Sequence, residues 1–228
     1  MEKGGFIIIG VFFILVGTIF LVNRSSSAAS AGIRENGSTA SLTVGPAPSD
    51  EAARIDWFWM IIENSRNSRG DQVEQLVAIK AQLSGLPTED IVTFGAVFSR
   101  LMCETYSWDL WGAAYVIMGG ASDDSFEYFR VWMLSRGHSF FEAARKDPDS
   151  LATLIPPNFH EVPEFELLAY AASEVWAERT GKKPNEMPTQ PDMIYSTNPV
   201  GTPFSENEAS LEARYPKLWK RFADSPLE

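Results

Sequence analysis

The sequence predicts an all-α protein: a compact multi-helix domain with a central buried helix, preceded by one N-terminal transmembrane helix and a flexible tether. Three observations predict it. From Ile55 onward apolar residues recur at three- and four-residue intervals, the spacing that builds one face of a helix. Alternation of the strand type, with Val, Ile and Thr on every second residue, does not persist over any useful length. Residues 6–22, FIIIGVFFILVGTIFLV, are apolar without a single charge.

As a helix rising about 1.5 Å per residue, that first run comes close to the roughly 30 Å hydrocarbon core of a bilayer. Residues 1–5 form a short cap before it. The competing reading is a cleaved signal peptide and export, with Lys3 as its n-region and SSSAASA as a cleavage site. The run is longer than the usual h-region, which favours an uncleaved, single-pass anchor. A lipoprotein is excluded because no cysteine follows the stretch to be acylated. Lys3 and the α-amine flank one end and Arg24 and Arg34 the other, so charge does not choose the side on which the domain lies. Residues 23–50 are rich in Ser, Ala, Gly and Pro and read as a tether.

The helical domain proper is read as residues 55–181. A first helix is expected over 56–68, with Asp56 as N-cap and Phe58, Ile61, Ile62 and Ser65 on its inner face. Asp71 followed by Glu74 has the capping-box pattern and opens a second helix, whose inner side is read as Val73, Leu76, Val77, the stem of Lys80, and Leu83. Gly85 stops it. Pro87 suits the first turn of a third helix with the stripe Ile91, Phe94, Phe98, Leu101 and Met102. WDLWGAAYVIM, residues 108–118, is apolar on nearly every side and so is the central helix. A helix over 123–136, a shorter one over 139–146 and a brief one over 151–155 follow, the last stopped by Pro156 and Pro157. The last long helix is expected over 162–180, with Phe165, Leu168, Ala172, Val175 and Trp176 inward and Gly181 just beyond its end. Residues 182–228 form a Pro-rich tail whose Leu218, Trp219 and Phe222 dock onto the helical body.

Composition narrows the function. A net charge of −11 and the lack of any basic stripe exclude nucleic acid as a partner, because that affinity rests on Lys and Arg neutralising phosphates. One cysteine, Cys103, makes no intramolecular disulfide, and two histidines, His138 and His160, are too few for the usual zinc, copper or haem sites. Neither His138 nor His160 has a serine or cysteine placed to suggest a nucleophile and base. No phosphate-cradling glycine loop is present.

The stretches DWFWMIIENSR, YSWDLWGAAYVIMGGASDDSFEYFRVWMLSRGHSFFEAARKDPDSLA and the helix ending ERTGK resemble the bacterial domain of unknown function 4240 family over residues 56–181, and the closing YPKLWKRF is similar to the family's Pro-x-Leu-Trp ending. That resemblance implies the fold and the boundaries and carries no activity. Members commonly place a cysteine where this chain has Ala121, and many have no membrane segment.

Two constellations bear on chemistry. In GGASDDSFEYFR, residues 119–130, a helical wheel puts Asp123, Glu127 and Arg130 on one flank beside the apolar face. Gly119 and Gly120 end one helix, Ser122 caps the next, and first-turn acids suit its dipole. The alternative is a hydrolase or transferase in which Asp123, Asp124 and Glu127 hold Mg²⁺ or Ca²⁺, since hard cations take carboxylate oxygens. DDSFE is similar to the paired-aspartate motif of all-α isoprenoid synthases, but this chain is shorter and lacks a second acidic motif. The other constellation is an aromatic wall, Trp108, Trp111 and Tyr115, with Asp109 among them. Converging with Asp123, Glu127 and Arg130, it would line a pocket for a small polar ligand or a protein partner. The expectation is therefore a non-catalytic, membrane-tethered binding module without a cofactor.

Overall fold

Side-chain caps start half of the described α-helices. Asp50 accepts from the Ala53 amide at 2.9 Å, Asp71 from Glu74 at 2.9 Å, Ser107 from Leu110 at 3.2 Å, and Ser122 from Ser125 at 3.2 Å. Each satisfies one of the orphan amides of a helix N-terminus. The computed structural model describes residues 44–66, 71–189 and 198–227, and all regular structure among them is helical. The ten α-helices are α1 (Glu51–Ser65), α2 (Gln72–Ser84), α3 (Thr88–Glu104), α4 (Trp108–Met118), α5 (Asp123–Ser135), α6 (His138–Lys146), α7 (Leu151–Leu154), α8 (Glu166–Thr180), α9 (Glu208–Arg214) and α10 (Pro216–Phe222). The expected transmembrane run, 6–22, lies outside the described residues, as does most of the tether. Among the described residues no helix is long and apolar enough to cross a membrane.

α4 has the boundaries its sequence predicts. Seven of its eleven residues are buried, while Trp108, Trp111 and Tyr115 are half-buried and Asp109 is exposed. It ends at Gly119, whose φ of 65° is the left-handed conformation that glycine adopts without a Cβ clash. α8 packs along α2 and α3, and the core between them is filled by side chains such as Phe58, Phe94, Phe126, Trp132 and Leu168.

Three expectations are corrected. The first helix begins at Glu51, not at Asp56, and it ends at Ser65. Its start is set by Asp50 and by the chain before it: Trp57 Nε1 donates to the Gly45 carbonyl and Arg54 Nε to that of Pro48. The last residues assigned to the tether therefore dock on α1. α2 turns a different face inward, with Gln75, Ile79 and Leu83 buried while Val73 and Val77 stand in solvent. The Gln75 amide fixes that rotation by donating to the Ser135 carbonyl at 2.9 Å and to Ser65 Oγ at 3.3 Å, joining α2 to α5 and α1. α8 begins at Glu166 because the preceding residues cross to α5, where the Phe165 amide donates to the Tyr128 carbonyl.

The C-terminal arm is held by reciprocal capping. Buried Asp149 accepts from the amides of Lys217 and Leu218 at the start of α10, both within 3.2 Å. In return Arg221 of α10 donates to the carbonyls of Ala152, Ile155 and Pro156 at the end of α7. Leu211, Tyr215, Leu218 and Phe222 are buried, and α10 lies against α4. Trp219 is only partly buried.

Candidate functional site

The aromatic wall forms, and the chain's own tail covers it. Trp108 stacks on Trp111 at 5.2 Å and 10°, and Trp111 stacks on Phe126 at 4.9 Å and 13°. Trp111 Nε1 donates to the Ala121 carbonyl, so the loop after Gly119 is tied back to the wall. On the other side, the Val200 amide donates to the Tyr106 carbonyl and accepts, through its own carbonyl, from Trp108. That pairing lays the tail along the start of α4. Phe204 then packs on Trp108 and Tyr115, with ring centroids 6.1 and 5.4 Å away.

Polar groups close the same seam. Arg214 Nε donates to Asp109 Oδ1 at 3.1 Å, while its Nη2 also reaches the Thr202 carbonyl. Tyr215 Oη donates to the Asp109 carbonyl at 3.0 Å, and Tyr115 Oη to Glu206 Oε2 at 3.2 Å. Gly112 allows the approach, since a Cβ there would fall 2.9 Å from Tyr215 Cζ. Burial pushes the Tyr215 hydroxyl up to about 12, with Asp109 adding to it and Arg214 opposing, and burial likewise raises Tyr115 beside Glu206.

The flank expected to converge on this wall is divided. Arg130 is buried, donating to the Met102 carbonyl at 2.7 Å with its guanidinium about 5 Å from the rings of Tyr106 and Phe126. The last turn of α3 attracts it, because unpaired carbonyls and the dipole favour a cation there. Asp123, Asp124 and Glu127 are exposed on α5, with Ser122 as the cap. The structure thus brings Trp108, Asp109, Trp111 and Tyr115 together under the tail and leaves the three α5 acids outside. Among the described residues no three of His, Cys, Asp and Glu converge to hold a metal ion, these acids included.

The remaining candidate groups have structural partners or stand alone. His138 stacks on Trp59 at 5.0 Å and 14°, and His160 is exposed. Cys103 is half-buried, and burial raises its thiol, which keeps it in the less nucleophilic form.

A second surface was not legible in the sequence. Gln72 and Val73 of α2 face Glu161, Val162 and Glu164 across an open hollow of about 370 Å³. Val73 is 69% exposed, Val77 one turn further along α2 is 63%, and Val162 is 37%. The apolar spacing of α2 by itself places both of its valines inward. The signal that identifies the true inner face is the i, i+4 pair Ile79 and Leu83, continued backward to Gln75.

The chain matches a family described as protein of unknown function (DUF4240) over residues 54–178, more than half its length, and it belongs to that family. The match spans α1 to α8 less their first and last few residues. No curated protein and no solved structure matches the chain.

Proposed function

We propose that this member of the family is a membrane-tethered, non-catalytic helical module that binds a protein partner on the face formed by Val73, Val77 and Val162. The exposure of these valines carries the reading, with Val73 and Val162 lining one hollow and Val77 standing one turn along α2 from Val73. Monomeric surfaces scatter single apolar residues, whereas a grouped patch rimmed by polar residues marks an interaction site. The aromatic wall of α4, the other apolar grouping, is occupied by Phe204 and Arg214 of the same chain. The uncharged run of residues 6–22 supports the tether, and the Ser, Ala, Gly and Pro composition after it gives the domain reach from a bilayer.

The test is photocrosslinking in the native membrane. Benzoylphenylalanine placed at Val77 or Val162 should give one discrete adduct, and the same probe at exposed Glu212 should give none. The adduct at Val77 should disappear when Val73 and Val162 are changed to Ser. An adduct indifferent to those changes, or equal labelling at Glu212, overturns the assignment of the face. Alkaline extraction of the same membranes tests the tether separately, since a spanning segment stays in the pellet.

A further inference from the structure

Every described arginine but one reaches an acceptor. Arg66 pairs with Glu63, Arg100 with Glu51 and Glu104, Arg145 with Glu142 and Arg214 with Asp109; Arg54, Arg130, Arg179 and Arg221 donate to backbone carbonyls. Arg136, the residue that follows α5, uses its backbone amide on the Met133 carbonyl, but its guanidinium makes no hydrogen bond and no ion pair among the described residues. It is only partly exposed, and its guanidinium carbon lies 5.8 Å from the centroid of the Trp132 ring.

Scarcity of acids does not explain this. The chain carries 30 carboxylates against 19 Lys and Arg, so a partly buried guanidinium has an excess of potential partners. Glu161 is the acid whose charge reaches Arg136, but it does not come into contact. The cation whose charge acts on Arg136 is Arg66. A Cβ on Gly137 would fall 2.6 Å from Arg66 Nη1 and 2.9 Å from Glu63 Cδ, so the Arg66–Glu63 ion pair lies against the residue next to Arg136. Burial, and then the charge of Arg66, hold the Arg136 guanidinium below its ordinary value.

A purely structural role accounts for part of this arrangement. A cation at the end of α5 meets the negative end of the helix dipole, and the indole face of Trp132 attracts it. Neither interaction uses the five N–H donors, which in arginine are arranged as a rigid fork matched to an oxyanion. Arg66 spends Nη1 on Glu63 and keeps further donors.

We propose that Arg136, with Arg66 beside it, forms a binding site for an oxyanion, a phosphate or carboxylate group taken up by two guanidiniums next to Trp132. The site goes beyond the partner reading. Glu161 borders both it and the valine hollow, so an anion carried by a partner would be held at the edge of that face. Free anions probe it without any partner, and failure here leaves the valine face standing.

The experiment uses the full chain in detergent micelles and follows the arginine Nε–Hε signals by ¹⁵N NMR, with that of Arg136 identified by its loss in Arg136→Lys. Methyl phosphate and acetate are titrated separately against sodium chloride of equal ionic strength. A saturable shift of the Arg136 signal with one of the oxyanions and not with chloride is the expected result, and the anion with the lower half-saturation names the source. Arg136→Lys keeps the charge and loses the fork, so the thermal stabilisation given by that anion should need about tenfold more of it. Arg66→Lys should weaken it less. A linear drift indistinguishable from chloride overturns the site, as does an Arg136→Lys protein stabilised by the anion as well as the parent. If Arg136→Lys does not fold, the titration of the parent signal decides alone.

Discussion

The wall of α4 and the outer face of α2 both present apolar side chains away from their own helices, yet among the described residues the chain covers only the first. The difference lies in the polar fittings around each. Around Trp108 and Tyr115 the tail finds an ion pair at Asp109, a hydroxyl bond at Glu206 and backbone pairing at Val200. It is further anchored by the Asp149 cap and by Arg221. Around Val73 and Val162 lie Glu161 and Glu164, which leave the hollow open. An aromatic surface near its own chain end is therefore read as core. A binding face is to be sought where apolar residues lack such cover.

The comparison is broken most strongly at its anchors. Asp149→Ala removes the acceptor for the amides of Lys217 and Leu218 in a buried setting, and should cost about 3 kcal/mol in urea unfolding while exposing the arm to limited proteolysis. An unchanged urea midpoint would mean that the cap does not hold the arm. Gly112→Ala drives a methyl into the Tyr215 ring and should cost about 2 kcal/mol, with a red shift of tryptophan fluorescence as Trp108 is uncovered. Tyr215→Phe should cost about 1 kcal/mol at neutral pH through the lost bond to the Asp109 carbonyl.

The same tyrosine sets a pH dependence. Its folded-state pKa, about 12, lies above the ordinary value of 10.0, so the folded protein holds the proton more tightly than the unfolded chain. That stabilisation is complete below pH 10 and is lost as the pH rises from there toward 12. Melting temperature should fall over this window, and less steeply in Tyr215→Phe; parallel curves would show that Tyr215 does not carry the effect. The smallest effect belongs to the other face. Val73→Ser with Val77→Ser should change stability by no more than about 0.5 kcal/mol, because both side chains are solvent-exposed. A drop of several degrees in melting temperature would show that these valines pack as core and would remove the ground for a binding face.

Much of the fold could be read locally. Ser122 and Asp71 cap the helices at whose starts they stand, Gly119 and Gly181 end the helices before them, and α4 runs from Trp108 to Met118 as its apolar stretch does. The wall residues of the candidate site were found for the same reason, since 3.6-residue periodicity places Trp108, Trp111 and Tyr115 on one side. Their occupation by Phe204 was not legible, because nothing near residue 108 indicates which distant segment returns to it. Arg130 was grouped with Asp123 by the helical wheel, yet the Met102 carbonyl draws it inward.

What the sequence determined by itself was helix content, most helix ends, the bounds of α4 and the charge balance. These follow from contacts within about four residues and from composition. The tertiary structure decided which face of α2 is buried, what covers the wall and which of the described arginines has a guanidinium without an acceptor. Each depends on partners far apart in the chain: Gln75 and Ser135 are 60 residues apart, Asp149 and Leu218 are 69, and Arg214 and Asp109 are 105. A buried amide or carboxylate must find its acceptor or donor wherever the folded chain supplies one, and that location is a property of the packing and not of any local stretch.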